Sequence, residues 1–214
     1  MKKQIPEYID VGHFRVAIFG SARIKENDPR YKQVYSLARR IAAAGFDVVT
    51  GGGPGIMEAA NKGHKDGRKE ERNVHSFGLT IELPKEQMSN KHLDIKKDYT
   101  HFSDRLDQFM TLSNVVVVAP GGVGTLLEFF YTWQLIQVKH ICNIPIIFMG
   151  EMWPDLIKWI EKWPLKKGFL DKGDLNFIFL AEHCSEAMRI IKKTHKEYEK
   201  GGVDFCKNYQ KYKI

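Results

Sequence analysis

Short apolar runs alternate along the chain with longer segments in which apolar residues recur every three or four positions. The apolar runs predict buried strands at residues 14–19, 47–50, 75–83, 115–119, 144–149 and 177–180. The longer segments predict amphipathic helices at 31–44, 56–66, 103–113, 125–138, 153–163 and 185–200. This alternation is typical of an α/β fold, a Rossmann-like three-layer arrangement with a mostly parallel central sheet.

The pattern also divides the chain into three parts. Residues 1–13 form a predicted N-terminal arm, residues 14–200 a single nucleotide-binding domain, and residues 201–214 a basic C-terminal tail. Within the domain, residues 84–97 are polar and irregular, which places them over a ligand site as a covering segment. Ser103 is the predicted N-cap of the helix that follows a short extended piece at 99–102.

The most informative motif follows the strand of four valines at 115–118. Pro120 ends the apolar run, three glycines follow at Gly121, Gly122 and Gly124, and an apolar helix begins near Thr125. Glycines allow backbone N–H groups to approach a phosphate closely, and the helix dipole favours negative charge at that end. The motif therefore predicts an anion site, with the carboxylate of Glu128 one helical turn away.

The same residues allow a purely structural interpretation. Thr125-x-x-Glu128 is the pattern of a capping box, in which the threonine caps the helix and the glutamate caps back. The local sequence supports the capping and the chemical role equally, and both roles are compatible with each other.

Two more strands end in glycine turns. The strand at 14–19 is followed by Gly20-Ser-Ala-Arg23, and the strand at 47–50 by Gly51-Gly-Gly-Pro-Gly55 and a helix. Ligands of parallel α/β sheets bind in the crevice at the carboxyl ends of the strands. Three such turns therefore predict a single crevice that is lined by all of them.

Composition limits the class of protein and its partners. A chain of 214 residues with 43% hydrophobic content supports one sizeable core, and its net charge of +7 suits anionic ligands. The lysines fall on predicted solvated helix faces and in the tail rather than in a basic stripe with aromatics, so nucleic acid is not a favoured partner. No apolar run has the length of a membrane helix, and the N-terminus has no apolar core of signal-peptide length, which predicts a soluble, cytoplasmic protein.

Cysteines and histidines offer no sequence signature of a metal site. Cys142, Cys184 and Cys206 lack zinc-ligand and redox-motif spacing, and an odd number of cysteines without a framework favours a reducing compartment. The eight histidines are scattered. His75 and His101 fall near predicted strands, where a core or loop position is the simpler explanation.

Arg105 stands out in the helix at 103–113. It lies in the first turn, where the helix dipole disfavours a cation, so a reason outside the helix is expected. The alternative is a surface arginine that pairs with Asp104 or Asp107.

Together, these motifs resemble the LOG (LONELY GUY) family, whose members long carried the label "possible lysine decarboxylase". The resemblance extends over about residues 14 to 180 and rests on the following segments, in this order: Gly20-Ser-Ala-Arg23, Gly51-Gly-Gly-Pro-Gly-Ile-Met-Glu-Ala-Ala-Asn61, Ile81-Glu-Leu-Pro84, Phe102-x-x-Arg105 and Pro120-Gly-Gly-x-Gly-Thr-x-x-Glu128. The form Gly-Pro-Gly-Ile-Met-Glu is more similar to the longer bacterial branch than to the plant cytokinin enzymes.

The resemblance implies a usually dimeric nucleoside 5′-monophosphate phosphoribohydrolase, which releases the free base and ribose 5-phosphate from AMP or cytokinin-type adenylates without a metal or cofactor. It assigns the catalytic pair to Arg105 and Glu128. The residues expected to bind the substrate are Gly20, Ser21, Gly52, Gly53, Gly55, Met57, Glu58, Gly121, Gly122, Val123, Gly124 and Thr125. The chain departs from the family at Leu106, where many members have a lysine.

Two other functions compete with this hypothesis. The same fold resembles molybdenum-cofactor carrier proteins and DNA-processing proteins, so a non-catalytic nucleotide-binding or cofactor carrier is the alternative. A carrier would keep the glycine turns without needing Glu128. Lysine decarboxylation is rejected, because that chemistry normally uses a lysine Schiff base with pyridoxal phosphate and no lysine here is placed to suggest one.

Overall fold

A computed structural model describes residues 13–70, 73–82 and 88–201 of the chain. Seven strands form one sheet in the order β4-β3-β2-β1-β5-β6-β7, and every pairing between neighbours is parallel. The strands are β1 (Arg15–Phe19), β2 (Asp47–Thr50), β3 (Ser76–Ile81), β4 (Ile95–Tyr99), β5 (Val115–Val118), β6 (Ile146–Met149) and β7 (Ile178–Ala181). The predicted α/β class and parallel sheet are confirmed.

Six α-helices cover the two faces of the sheet. They are α1 (Pro29–Ala44), α2 (Ile56–Gly67), α3 (Phe102–Leu112), α4 (Val123–Gln137), α5 (Trp153–Ile160) and α6 (Cys184–Glu199). One core cluster joins the sheet to α1, α2 and α6, and the other joins it to α3, α4 and α5. The arrangement therefore has the three predicted layers.

The strands at the centre of the sheet supply both cores at once. In β1, Val16 and Ile18 belong to the first core cluster, while Ala17 and Phe19 belong to the second. The valines of β5 divide in the same alternating way, since successive side chains of a strand point to opposite faces. Because both faces of these strands are buried, their residues form continuous apolar runs in the sequence.

The sequence prediction missed β4. Its residues, Ile-Lys-Lys-Asp-Tyr, alternate between exposed and more buried positions, and the strand lies at an edge of the sheet beside β3. Charged side chains are usual on edge strands because they discourage pairing with other chains. At residues 95–97 the polar composition was therefore a sign of an edge strand, whereas residues 88–94 are irregular as predicted. Of the predicted segment 84–97, residues 84–87 lie outside the described residues.

Several predicted helix boundaries also need correction. Ser103 is not the N-cap of α3, because the helix begins one residue earlier at Phe102 and His101 occupies the cap position. The helix predicted at 153–163 ends at Ile160 and continues as a π-helical turn over Glu161–Leu165, which contains Pro164. Gly45 ends α1 as predicted, with a left-handed φ of 89°.

The four tryptophans divide between the core and the surface. Trp133 and Trp153 are buried, whereas Trp159 and Trp163 are exposed. Among the described residues, no helix is both long and apolar enough to cross a bilayer. The predicted arm up to residue 12 and the tail from residue 202 lie outside the described residues, so the proposed division of the chain stays a prediction.

Candidate active site

The order of the strands places a crevice at the centre of the sheet. The chain builds outward from β1 through β2, β3 and β4 on one side, then returns to place β5 against the other side of β1. Ligands of open α/β sheets bind at such a point of reversal, outside the carboxyl ends of the strands. The turns that follow β1 and β5 therefore flank the predicted crevice.

Backbone hydrogen bonds join all three glycine turns into one unit. The N–H of Ser21 donates to the carbonyl oxygen of Pro120 over 3.0 Å, and the N–H of Ile56 donates to the carbonyl of Ser21 over 2.9 Å. Gly55 has a φ of +69°, and a side chain there would overlap the backbone of Ser21 and Ala22. The turn after β1 thus connects the other two, and Gly55 is the residue that lets it approach α2.

Buried polar side chains hold the turn after β2. The hydroxyl of Thr50 accepts from the N–H of Gly52 over 3.0 Å and donates to Oδ1 of Asn61 over 2.8 Å. The side-chain amide of Asn90 donates to the carbonyl oxygens of Gly52 and Gly53 over 3.1 and 2.9 Å, and to Asn61. Sequence analysis missed Asn90, which lies in a polar segment without a motif.

The turn after β5 presents a free helix end to solvent. Helix α4 begins at Val123, its N-cap is Gly122, and no side chain caps it. Gly122, Val123 and Gly124 are exposed, whereas Thr125 is buried. The first N–H groups of a helix have no intrahelical partner, so this end is suited to an anion.

The capping-box interpretation of Thr125 and Glu128 is wrong. Thr125 already lies inside α4, three residues beyond the Gly122 cap, and Glu128 lies in the second turn. The physical reason is that glycine occupies the cap position, so the helix begins earlier than the threonine suggested. Glu128 therefore does not cap the start of α4.

Glu128 and Arg105 form a buried ion pair. Nη2 of Arg105 donates to Oε1 of Glu128 over 3.3 Å, and the two residues are 8% and 9% exposed. Nε of Arg105 also donates to the carbonyl of Leu79, near the end of β3, over 2.7 Å. The guanidinium lies 5.2 Å from the ring centre of Phe109, one turn further along α3. Arg105 is therefore held from three sides.

This geometry answers the question raised by the position of Arg105. The expected reason outside α3 is the pair of acceptors on β3 and α4, and the alternative of a surface arginine is wrong because the side chain is buried. Leu106, the departure from the family pattern, is also buried. It contributes apolar packing and presents no charge to a ligand.

Burial changes the protonation chemistry of the pair. Desolvation raises the pKa of Glu128 to about 7, and the charge of Arg105 opposes that shift. Burial likewise lowers the pKa of Arg105, opposed by Glu128, although an arginine remains charged in proteins. A carboxyl group that titrates near neutral pH is suited to proton transfer and charge stabilisation.

The other predicted residues take different positions around the crevice. Met57 and Glu58 lie in the first turn of α2, and Oε1 of Glu58 is 4.0 Å from Nε2 of His92. His101 is an exposed cap residue of α3 and follows the carboxyl end of β4, whereas His75 precedes β3 at the amino ends of the strands. At Gly51, which was not among the predicted binding residues, a side chain would overlap Arg105 and Met57.

The described part of the chain has a doubly wound α/β fold, in which the uncapped start of α4 lies near a buried carboxylate–guanidinium pair. The family model described as "Possible lysine decarboxylase" matches residues 57–191. The chain belongs to this family, the LOG family of the sequence resemblance.

Among curated proteins, the chain is similar to the pyrimidine/purine nucleotide 5′-monophosphate nucleosidase of Escherichia coli K12. The two are 29% identical over 147 residues, which cover 63% of this chain and 30% of the relative. The match therefore spans less than a third of the length of the curated relative.

Solved structures share the fold at lower identity. The molybdenum cofactor binding protein of Rippkaea orientalis has a TM-score of 0.65 at 19% identity, covering 85% of this chain and 96% of that chain. The Moco carrier protein of Chlamydomonas reinhardtii has a TM-score of 0.63 at 21% identity, covering 86% and 99%. At these identities the similarity establishes the fold alone.

Proposed function

We propose that this protein is a nucleoside 5′-monophosphate phosphoribohydrolase, an N-glycosidase that hydrolyses the bond between base and ribose. The observation that carries the proposal is the buried pair of Arg105 and Glu128, which lies one turn beyond the uncapped start of α4. An anion site and a carboxylate at this spacing suit a phosphorylated sugar whose reacting carbon lies a few ångströms from its phosphate.

The phosphate anchors the substrate at the start of α4. The N–H groups of residues 121–125 bind its oxygens, and the turn after β1 with Gly20 and Ser21 borders the same crevice. The turn after β2, with Gly52, Gly53 and Gly55, and the first turn of α2 with Met57 and Glu58 contact the rest of the nucleotide.

Glu128 then acts on the glycosidic bond. Positive charge develops on the ribose ring as the bond to the base breaks, as in the oxocarbenium-like states of glycosidases. The carboxylate stabilises that charge and orients or deprotonates the attacking water. Its raised pKa, about 7, allows it to accept this proton near neutral pH.

Arg105 positions the carboxylate and binds oxyanions. Its bonds to Leu79 and Glu128 fix the plane of the guanidinium, and its fork geometry suits ribose hydroxyls or phosphate oxygens. The two groups that act on the substrate in this proposal are thus a carboxylate and a guanidinium. Neither forms the Schiff base that an amino-acid decarboxylase normally uses, so lysine decarboxylation is not part of this proposal.

The curated relative supports this class of reaction, since its name describes a nucleotide 5′-monophosphate nucleosidase. The family resemblance narrows the substrate to AMP or cytokinin-type adenylates, and a cytoplasmic location completes the proposal.

The decisive experiment measures free base and ribose 5-phosphate released from a panel of nucleoside 5′-monophosphates. The matched nucleosides without phosphate serve as comparators, and Glu128→Gln serves as the control variant. Release from the monophosphates that is lost in Glu128→Gln supports the proposal. Tight nucleotide binding without release from any substrate would contradict it and favour a carrier.

The homodimer implied by the family is also part of this proposal, and α4 is its contact surface. Val123, Leu127 and Phe130 are exposed on one face of this largely apolar helix. Exposed apolar helix faces commonly mark protein contacts. Light scattering should show a dimer that Leu127→Lys dissociates, whereas Trp159→Lys on α5 should not. A monomeric wild-type protein would contradict the dimer without affecting the assignment of the reaction.

A further inference from the structure

Three potential metal ligands lie together at the amino ends of the strands, on the side of the sheet away from the crevice. His13 precedes β1, Asp47 begins β2, and His75 precedes β3. One ligand atom from each of the three side chains lies within 4.8 Å of the other two. Because β1, β2 and β3 are adjacent and parallel, their starting residues meet here although they are far apart in sequence.

The carboxylate of Asp47 is already oriented for this role. Its Oδ1 accepts from the backbone N–H of His75 over 2.8 Å, and its Oδ2 lies 3.1 Å from Nδ1 of His13. The rings of His13 and His75 stack with their centres 6.2 Å apart. The carboxylate is buried, while both histidines are partly exposed, so an ion from solvent can reach the cluster.

We propose that His13, Asp47 and His75 form a binding site for a divalent transition metal ion, with zinc as the best match. Two imidazoles and one carboxylate are a common zinc donor set that leaves a position for water. In a tetrahedral site with bonds of about 2.1 Å, ligand atoms lie about 3.4 Å apart. The three ligand atoms now lie within 4.8 Å of one another. Side-chain rotations that change these separations by about 1.5 Å or less would bring them to the tetrahedral spacing.

Arg15 limits the affinity of the proposed site for the metal ion. Its Nε lies 3.3 Å from Oδ2 of Asp47, and its guanidinium lies 5.5 Å from the ring centre of Phe77. This cation shares the carboxylate with the metal and makes binding weaker than in the same site without it. The contact with Phe77 gives the guanidinium a second favourable interaction when the metal takes the carboxylate oxygen.

The site is independent of the proposed reaction. It lies at the amino ends of the strands, whereas Arg105 and Glu128 lie beyond the carboxyl ends. Ligands at the starts of three adjacent strands would join them, so zinc should stabilise the fold without being needed for hydrolysis.

Calorimetry with ZnCl2 on the untagged, chelator-treated full chain tests the proposal. We expect one zinc ion per chain and a rise in the melting temperature. His13→Ala and His75→Ala should each weaken zinc binding by about tenfold or more. Both histidines are partly exposed, so these variants are expected to fold. Cobalt(II) should give a visible absorption band that either substitution removes.

His101→Ala is the matched control, because it removes a histidine from the opposite end of the sheet and should leave zinc binding unchanged. Absence of zinc binding in the wild type would overturn the proposal. So would equal zinc affinity in the wild type, His13→Ala and His75→Ala, because the ion would then bind elsewhere.

Discussion

Gly51 lies against the guanidinium of Arg105, so that any side chain at position 51 would overlap Nη2. The added carbon would also come 2.7 Å from Sδ of Met57. Both obstacles are side-chain atoms and not backbone, and φ at Gly51 is not in the left-handed region. A methyl group there would therefore displace Arg105 rather than unfold the chain.

Gly51→Ala should reduce kcat by about 100-fold, because a displacement of about 1 Å at a catalytic group has that order of effect. The melting temperature should fall because the buried ion pair with Glu128 is disturbed, but the chain should stay folded at the assay temperature. Gly173→Ala is the control, since a side chain there meets nothing within 4 Å. Activity equal to wild type in Gly51→Ala would show that the position of Arg105 is not critical.

The pKa of Glu128 predicts how activity depends on pH. If the carboxylate is the active form, kcat/KM should rise as the pH increases through about 7 and then level off. The substrate phosphate titrates in a similar range, with a pKa of about 6. Glu128→Asp distinguishes the two, because it should move the midpoint only if the enzyme group is responsible. A flat profile between pH 5 and 8 would exclude this role for Glu128.

The same pKa predicts a cost in stability at alkaline pH. Burial raises the pKa of Glu128 from 4.5 to about 7, so the folded state binds this proton more tightly than the unfolded state. Its contribution to stability is present below about pH 4.5 and is lost as the pH rises through 7. Glu128→Gln should therefore be more stable than wild type at pH 8, by about 1 to 3 kcal/mol.

Urea unfolding at pH 8 and pH 5 measures this difference. The advantage of Glu128→Gln should shrink towards zero at pH 5, where the wild-type side chain is mostly protonated in the folded state. A variant that is less stable at pH 8 than wild type would mean that the ion pair with Arg105 outweighs the desolvation of Glu128.

The strands and glycine turns around the site could be predicted from the sequence because each is a local feature of the chain. The double burial of β1 and β5 makes them continuous apolar runs, and glycine marks the turns that follow. The contact between Arg105 and Glu128 was available only through the family resemblance. It spans 23 positions and depends on the carbonyl of Leu79, so no local periodicity encodes it.

Strand β4 and the role of Asn90 were not predicted, for a different physical reason. Strand β4 is half exposed, so its polar residues carry no hydrophobic alternation strong enough to identify a strand. Asn90 acts through hydrogen bonds to the turn after β2, and an asparagine in a polar segment is indistinguishable from a solvated loop residue. Burial decides both roles, and it appears only in the folded chain.

The variant Asn90→Asp tests whether the hydrogen bonds that hold the turn after β2 are needed for substrate binding. The substitution replaces an amide NH2, which lies within hydrogen-bonding distance of oxygens on Gly52, Gly53 and Asn61, by a carboxylate oxygen that faces the same atoms. Lost bonds and repulsion should destabilise the chain by about 1 to 3 kcal/mol and raise KM more than they lower kcat. Lys91→Ala, an exposed neighbour whose side chain is outside this set of bonds, is the control. Unchanged KM in Asn90→Asp would separate this turn from the binding site.

The pairing of β1 with β5 has a consequence for the order in which the chain folds. The N–H of Arg15 donates to the side chain of Asn114, 99 positions away, and β1 pairs with β5 along its length. Contacts between such distant residues slow folding, because a long loop must close before they form. The helices and outer strands of the first half are local neighbours, so they are expected to organise earlier. The crevice between β1 and β5 is then expected to be among the last parts of the protein to form, and binding of the proposed nucleotide would require a fully folded chain.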